Sequence, residues 1–184
     1  KYHAAIIDEA HNLEDVATNA FAEEVSYPAL QAYLRSGQQL IGTLRSQVEE
    51  HQVNDLRLAL DKVFEHGAEY LKSIKPYIPE QTLMLNVDNR LPFTQLDMGP
   101  RIKTVLDILD SWEFEDAEAT GLVTNFVEYS RLFLERCRRI SQADDGDYVF
   151  WAEIRGQDGS VHGAPINVSP LLTEQLFAAV DSVV

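Results

Sequence analysis

The chain has 184 residues, 45% of them hydrophobic and 24% charged, which are values typical of a globular domain with one packed core. A net charge of −15 opposes tight binding of a phosphate backbone, so contact with nucleic acid requires a local basic face. No apolar run approaches the roughly 20 residues of a membrane span, so no membrane partner is expected. The single cysteine excludes an internal disulfide and is compatible with a cytoplasmic location.

The first element in chain order is a short apolar run that ends in acidic residues. Residues 4–7 are predicted to form a strand buried on both faces, as in a parallel sheet covered by helices. Asp8 and Glu9 follow directly, and His11 lies two residues further on. The end of such a strand is the edge where open α/β sheets bind ligands. In nucleotide-driven motors a carboxylate at this position anchors Mg²⁺.

Apolar residues at helical spacing dominate most of the remaining chain. They predict helices from Asp8 or Asn12 to about Phe21, from Ser26 to about Glu50, from about Val53 to the residue before Pro76, from Gly99 to Trp112, from about Thr120 to Ile140, and from Ser169 to Val180. The second and third of these helices are expected to pair antiparallel through a short connection. Gly37, inside the second helix, is interpreted as a place of close approach by a neighbour.

Two segments have β character. Residues 82–87 are a weak strand candidate, and residues 148–154 alternate with β-rich residues. A turn at 157–160 and a returning strand at 161–166 complete a predicted hairpin. The sequence therefore predicts a mainly α fold with a small β-hairpin near the C-terminus, between about 147 and 166.

The helix predicted at 120–140 carries several cations. Arg131 and Arg138 fall on its outer face, with Arg139, Glu128 and Glu135 beside them at salt-bridging intervals. One interpretation is that Arg131, Arg138 and Arg139 contact a nucleic-acid strand. The other, favoured because the glutamates neutralise part of the field, is a solvated face with internal ion pairs.

Metal sites built from this chain alone are poorly supported. The acidic run from Glu113 to Glu118 is interpreted as a solvated loop rather than a metal site. Asp8, Glu9 and His11 lack the His-Glu-x-x-His spacing of a stand-alone metal hydrolase, and no other histidine stands at ligand spacing from His11.

Two stretches carry a family resemblance. The first stretch is Ile6-Ile7-Asp8-Glu9-Ala10-His11-Asn12-Leu13. It resembles motif II of superfamily 2 helicases and is most similar to the motif in the DinG/XPD-like branch of that superfamily. Residues 148–153 and 164–172 are similar to the segment by which that family re-enters its first motor domain. The resemblance implies three parts: 1–22 as the motif II strand and the exit from motor domain 1, 23–165 as an arch-like helical insertion, and 166–184 as a helix returning towards motor domain 1.

The resemblance also implies roles. In an intact ATP-dependent 5′–3′ DNA helicase of repair or replication, Asp8 holds Mg²⁺ through water, Glu9 activates the attacking water, and His11 links the nucleotide site to the DNA-binding motifs. The parent would use Mg²⁺ and ATP, guide single-stranded DNA, and work in the cytoplasm, associated with the bacterial nucleoid. An alternative function for this piece is a non-catalytic docking module that binds a protein partner on its acidic surface.

Parts of that machinery are absent from the sequence. There is no Gly-x-x-x-x-Gly-Lys-Ser/Thr phosphate cradle, so the chain alone is expected to be an inactive fragment that binds neither Mg²⁺ nor ATP tightly. Cys137 cannot by itself supply the four ligands of an iron–sulfur cluster, and whether the parent carries one is left open.

Overall fold

The computed structural model describes residues 12–89, 91, 97–176 and 178. Its helices are α1 (Leu13–Phe21), α2 (Tyr27–Leu44), α3 (Glu50–Ile74), α4 (Gly99–Asp110), α5 (Ala117–Gln142) and α6 (Ser169–Gln175). Its strands are β1 (Glu23–Val25), β2 (Thr82–Leu85), β3 (Tyr148–Arg155) and β4 (Asp158–Pro165). The predicted fold class, mainly α with a small β element near the C-terminus, is confirmed. No helix in the described ranges has the length and apolar character that crossing a bilayer requires.

Helix boundaries follow from local caps. Ser26 caps α2 as predicted, because its Oγ accepts a hydrogen bond from the Ala29 backbone N–H at 3.3 Å. Asp116 caps α5 by accepting from the backbone N–H groups of Glu118 and Ala119. Helix α5 ends where Ala143 adopts a left-handed conformation with φ of 46°.

The second helix is shorter than predicted. Its apolar spacing continues through Val48, which suggested an end near Glu50, but α2 ends at Leu44 and Glu50 begins α3. Val48 is partly buried against the core from the reversal between the two helices. It therefore keeps the helical spacing without being helical.

Helices α2 and α3 pack through glycines. A Cβ on Gly37 would lie 2.4 Å from Leu60 Cδ1, and one on Gly67 would lie 2.6 Å from Leu30 Cδ2. Each helix thus receives a leucine of the other over a glycine, which confirms the close approach expected at Gly37. Atoms packed this closely leave no room for an added methyl unless the leucine moves.

Tyr33 joins α2 to α5 inside the core. Its ring stacks on Phe133 at 5.0 Å between centroids and on Phe126 at 5.5 Å. Ser130 donates its hydroxyl proton to the Phe126 carbonyl at 2.8 Å, so the Tyr33 hydroxyl donates to Ser130 Oγ at 2.9 Å. Burial raises the pKa of Tyr33 to about 12, since the phenolate would be desolvated there.

The strands form one antiparallel sheet in the order β1-β4-β3-β2. Strand β1 lies at one edge, in register with β4 from Glu23↔Gly163 to Val25↔Val161. The sequence did not indicate β1, because a three-residue strand is too short to show alternation. The inner face of the sheet packs on the helices through Phe150 and Val161.

The hairpin between β3 and β4 is confirmed, but its turn was predicted at the wrong residues. Asp158 and Gly159 are already paired in β4, and the connection consists of Gly156 and Gln157. Gly156 has φ of +63°, and glycine at the first position of a two-residue loop is typical of a type II′ turn. The prediction relied on the Asp158-Gly159 pair, which is a common turn sequence. The positive φ that the turn requires is instead adopted by Gly156.

Candidate functional site

The residues predicted to form motif II lie outside the described part of the chain, apart from Asn12 and Leu13. This applies to Asp8, Glu9 and His11, and to the strand predicted at residues 4–7. The description begins at Asn12, and α1 follows at once and packs on β4. Helix α1, which follows the predicted motif, therefore packs on the same four-stranded sheet as helices α3 and α5.

Two distant parts of the chain meet where β1 pairs with β4. Residue 23 is the first of the predicted insertion and lies beside Gly163, close to its last predicted residue at 165. The predicted insertion therefore begins and ends at neighbouring points on two adjacent strands of the sheet. Successive residues of a strand point to opposite faces, so Glu23 reaches the helices and Glu24 the outer face.

On the side of the sheet that packs against the helices, Arg139 of α5 forms hydrogen bonds with residues of β1 and β3. Its Nη1 donates to Glu23 Oε1 at 3.3 Å and to Tyr148 Oη at 2.9 Å, and its Nη2 donates to Glu135 at 3.1 Å. The Arg139 side chain is only 26% exposed. Burial raises the pKa of Glu23, and the positive charges of Arg139 and Arg136 oppose that rise. Because the guanidinium is engaged within the fold, we assign Arg139 a positioning role.

Arg131 and Arg138 are placed differently. Both are exposed, and they lie on the side of α5 that borders α4. Arg131 lines a groove between the two helices together with Lys103. An Arg138 guanidinium nitrogen lies 3.9 Å from the Cβ position of Gly99, the first residue of α4. Cations of both helices therefore collect near the start of α4, where they are accessible to a phosphate.

On the outer side, His162 occupies the centre of a polar cluster. It stacks on Trp151 with centroids 5.0 Å apart, and its Nε2 lies 2.8 Å from Ser160 Oγ. Carboxylate oxygens of Glu153 and Glu24 lie 3.4 Å and 3.8 Å from its ring nitrogens. The imidazole is thus held between β1 and β3 by two acidic neighbours.

This cluster borders a pocket of about 310 Å³ beneath α1, with Thr18 and Asn19 at its rim. Sequence reasoning tested His162 only as a metal ligand and missed the cluster. The available signal was alternation along β4, which places Ser160, His162 and Ala164 on one face. No group of three or more His, Cys, Asp or Glu residues in the described ranges is arranged to hold a metal ion.

Neither the protein-family models nor the curated proteins contain a match to this chain.

Replacing Arg139 tests its positioning role. Arg139→Ala should lower the free energy of unfolding by about 1–2 kcal/mol at pH 7, because Glu23 loses its cation and Tyr148 its donor. The pKa of Glu23 in the folded variant rises further above its unfolded value. The cost of ionising Glu23 is therefore present above that raised pKa and disappears as the pH falls through it.

The loss of unfolding free energy in Arg139→Ala relative to the wild type should therefore become smaller as the pH is lowered from 7 to about 4.5, the ordinary pKa of a glutamate. Urea unfolding of the wild type and the variant at both pH values measures this. Arg138→Ala is the matched control, since that side chain is exposed, and it should stay within about 0.5 kcal/mol. Equal losses for the two variants, or a loss independent of pH, would contradict the assignment.

Proposed function

We propose that this chain is a fragment of a DinG/XPD-like superfamily 2 ATP-dependent DNA helicase, running from motif II through an arch-like insertion. The observation that carries the proposal is the pairing of β1 with β4. A domain inserted between two consecutive parts of a motor must begin and end at neighbouring points, or it would force those parts open. Two independent features support an insertion that follows motif II. One is the motif at residues 6–13, and the other is the pairing between the two ends of the proposed insertion.

In the proposed motor, residues 1–22 leave the nucleotide site and residues 166–184 return towards it. Asp8 would hold Mg²⁺ through water and Glu9 would orient and deprotonate the attacking water, while His11 would connect this site to the DNA-binding motifs. ATP and Mg²⁺ bind with residues of the parent that supply a phosphate cradle. The described residues add no further ligand set for the metal.

The insertion is proposed to guide single-stranded DNA in the parent, which acts in the cytoplasm, where a bacterial protein of this kind associates with the nucleoid. The proposed phosphate contacts are Arg131, which lines the groove with Lys103, and Arg138, which lies near Gly99. They form a local basic group on a chain whose net charge is −15. That overall charge makes binding by the isolated chain weak and strongly dependent on salt.

Hydrolysis of ATP tests the motor assignment. In the intact parent, Glu9→Gln should reduce turnover about 100-fold or more, because the water loses its general base. The 184-residue chain alone should show no turnover, since it has no phosphate cradle. Wild-type turnover in the parent carrying Glu9→Gln, or activity of the isolated chain that Glu9→Gln abolishes, would contradict the assignment. A phosphate-release assay measures both proteins.

Binding of an oligothymidylate, (dT)20, tests the phosphate contacts. Arg131→Glu with Arg138→Glu should weaken binding at low salt, and the slope of log K against log salt should fall by about 0.7 for each phosphate that the protein no longer neutralises. Fluorescence anisotropy of labelled DNA over a salt series measures both quantities.

The control for this comparison is Arg35→Glu with Arg45→Glu, which changes the net charge equally at exposed positions of α2 and its C-terminal cap. It should leave the slope unchanged apart from a small general weakening. If the two double variants lose affinity equally, the effect is one of net charge alone, and the assigned contacts are wrong.

A further inference from the structure

A groove of about 930 Å³ runs between α4 and α5. Its walls are helical residues spaced by three and four: Lys103, Leu106, Asp107 and Asp110 from α4, and Thr120, Val123, Thr124, Val127 and Arg131 from α5. The lining runs from Lys103 to Asp110 along α4 and from Thr120 to Arg131 along α5, which at 1.5 Å per residue is about 10–17 Å, or two to three helical turns. These dimensions match the side of one α-helix.

The floor of the groove is apolar, and one end is closed by aromatic rings. Leu106, Val123 and Val127 are partly buried along it. Trp112 and Phe114, in the connection between α4 and α5, pack edge to face with centroids 6.1 Å apart and close that end. Apolar floors with aromatic anchors are typical of surfaces that bind a partner.

The charges of the groove are separated along its length. Asp107, Asp110 and Glu113 are exposed towards the closed end, and Lys103 and Arg131 are exposed at the open end. A nucleic-acid strand lying along the whole groove would pass three carboxylates, which repel its phosphates. An occupant that is positive at one end and apolar underneath is complementary to both features.

We propose that this groove binds a single amphipathic helix of a partner protein, with basic residues along the part that lies beside Asp107, Asp110 and Glu113. Apolar side chains of the partner at positions i, i+3, i+4 and i+7 cover the groove floor. The positive N-terminal end of the helix dipole lies at the acidic, closed end, and the negative C-terminal end lies near Lys103 and Arg131. This inference does not depend on the helicase assignment.

The experiment uses a phage-displayed library of 14-residue peptides selected on the 184-residue chain. Enriched peptides should share apolar residues at the stated spacing and carry Lys or Arg in their N-terminal half. Synthetic copies are then titrated while the fluorescence of Trp112 is recorded in a Trp151→Phe background, where it is the sole tryptophan.

Two groove variants test the site. Asp107→Lys with Asp110→Lys reverses the exposed acidic rim, and Thr124→Arg places a large side chain in the groove from an exposed position. Each should weaken peptide binding at least tenfold without loss of the helical circular dichroism. Glu14→Lys with Asp15→Lys, exposed on α1, makes the same change in net charge as the rim variant and should alter affinity less than twofold.

Three results would overturn the proposal. One is the absence of an enriched sequence, and another is enriched peptides that bind the groove variants and the α1 control equally. The third is (dT)20 that quenches Trp112 more strongly than any selected peptide, because the groove would then belong to nucleic acid.

Discussion

The pairing of β1 with β4 is the contact on which the rest of the arrangement depends. Only three residues of β1 take part, yet they join the beginning of the predicted insertion to its end. Because alternate residues of a strand point to opposite faces, Glu23 reaches Arg139 on the helical side while Glu24 approaches His162 on the outer side. A short strand is thereby held from both faces of the sheet.

The helical part gives this junction a rigid support. The leucine-over-glycine contacts between α2 and α3 and the buried Tyr33–Ser130 hydrogen bond connect three helices into one core. Close-packed protein interiors have low compressibility, so a displacement of one helix is passed on to its neighbours. The exposed cations near the start of α4 are therefore held in a fixed relation to the β1–β4 pairing.

Features governed by local rules could be predicted from the sequence. The Ser26 cap, the end of α3 before Pro76 and the close packing at Gly37 each depend on neighbouring residues or on helical spacing, and the structure confirms them. Features that depend on residues far apart in the chain could not be predicted from the sequence. Arg139 pairs with Glu23 across more than a hundred residues, and nothing near either residue indicates the other. The candidate site divides in the same way: motif II is a prediction from eight consecutive residues that the described part of the chain does not test, whereas the His162 cluster depends on the register of three strands.

We infer that residues 23–165 form a self-contained unit, because its first strand, β1, pairs with its last strand, β4. Its main hydrophobic cluster extends from Val25 to Val161, and Ala17 in α1 and Val168 just before α6 are also buried. The free energy of unfolding of the excised segment 23–165, measured in urea beside the 184-residue chain, tests this inference. We expect one cooperative transition, with a free energy within about 2 kcal/mol of that of the full chain, because the packing removed among the described residues is that of α1, Val168 and α6. A segment that is unfolded, or that melts without cooperativity, would contradict it.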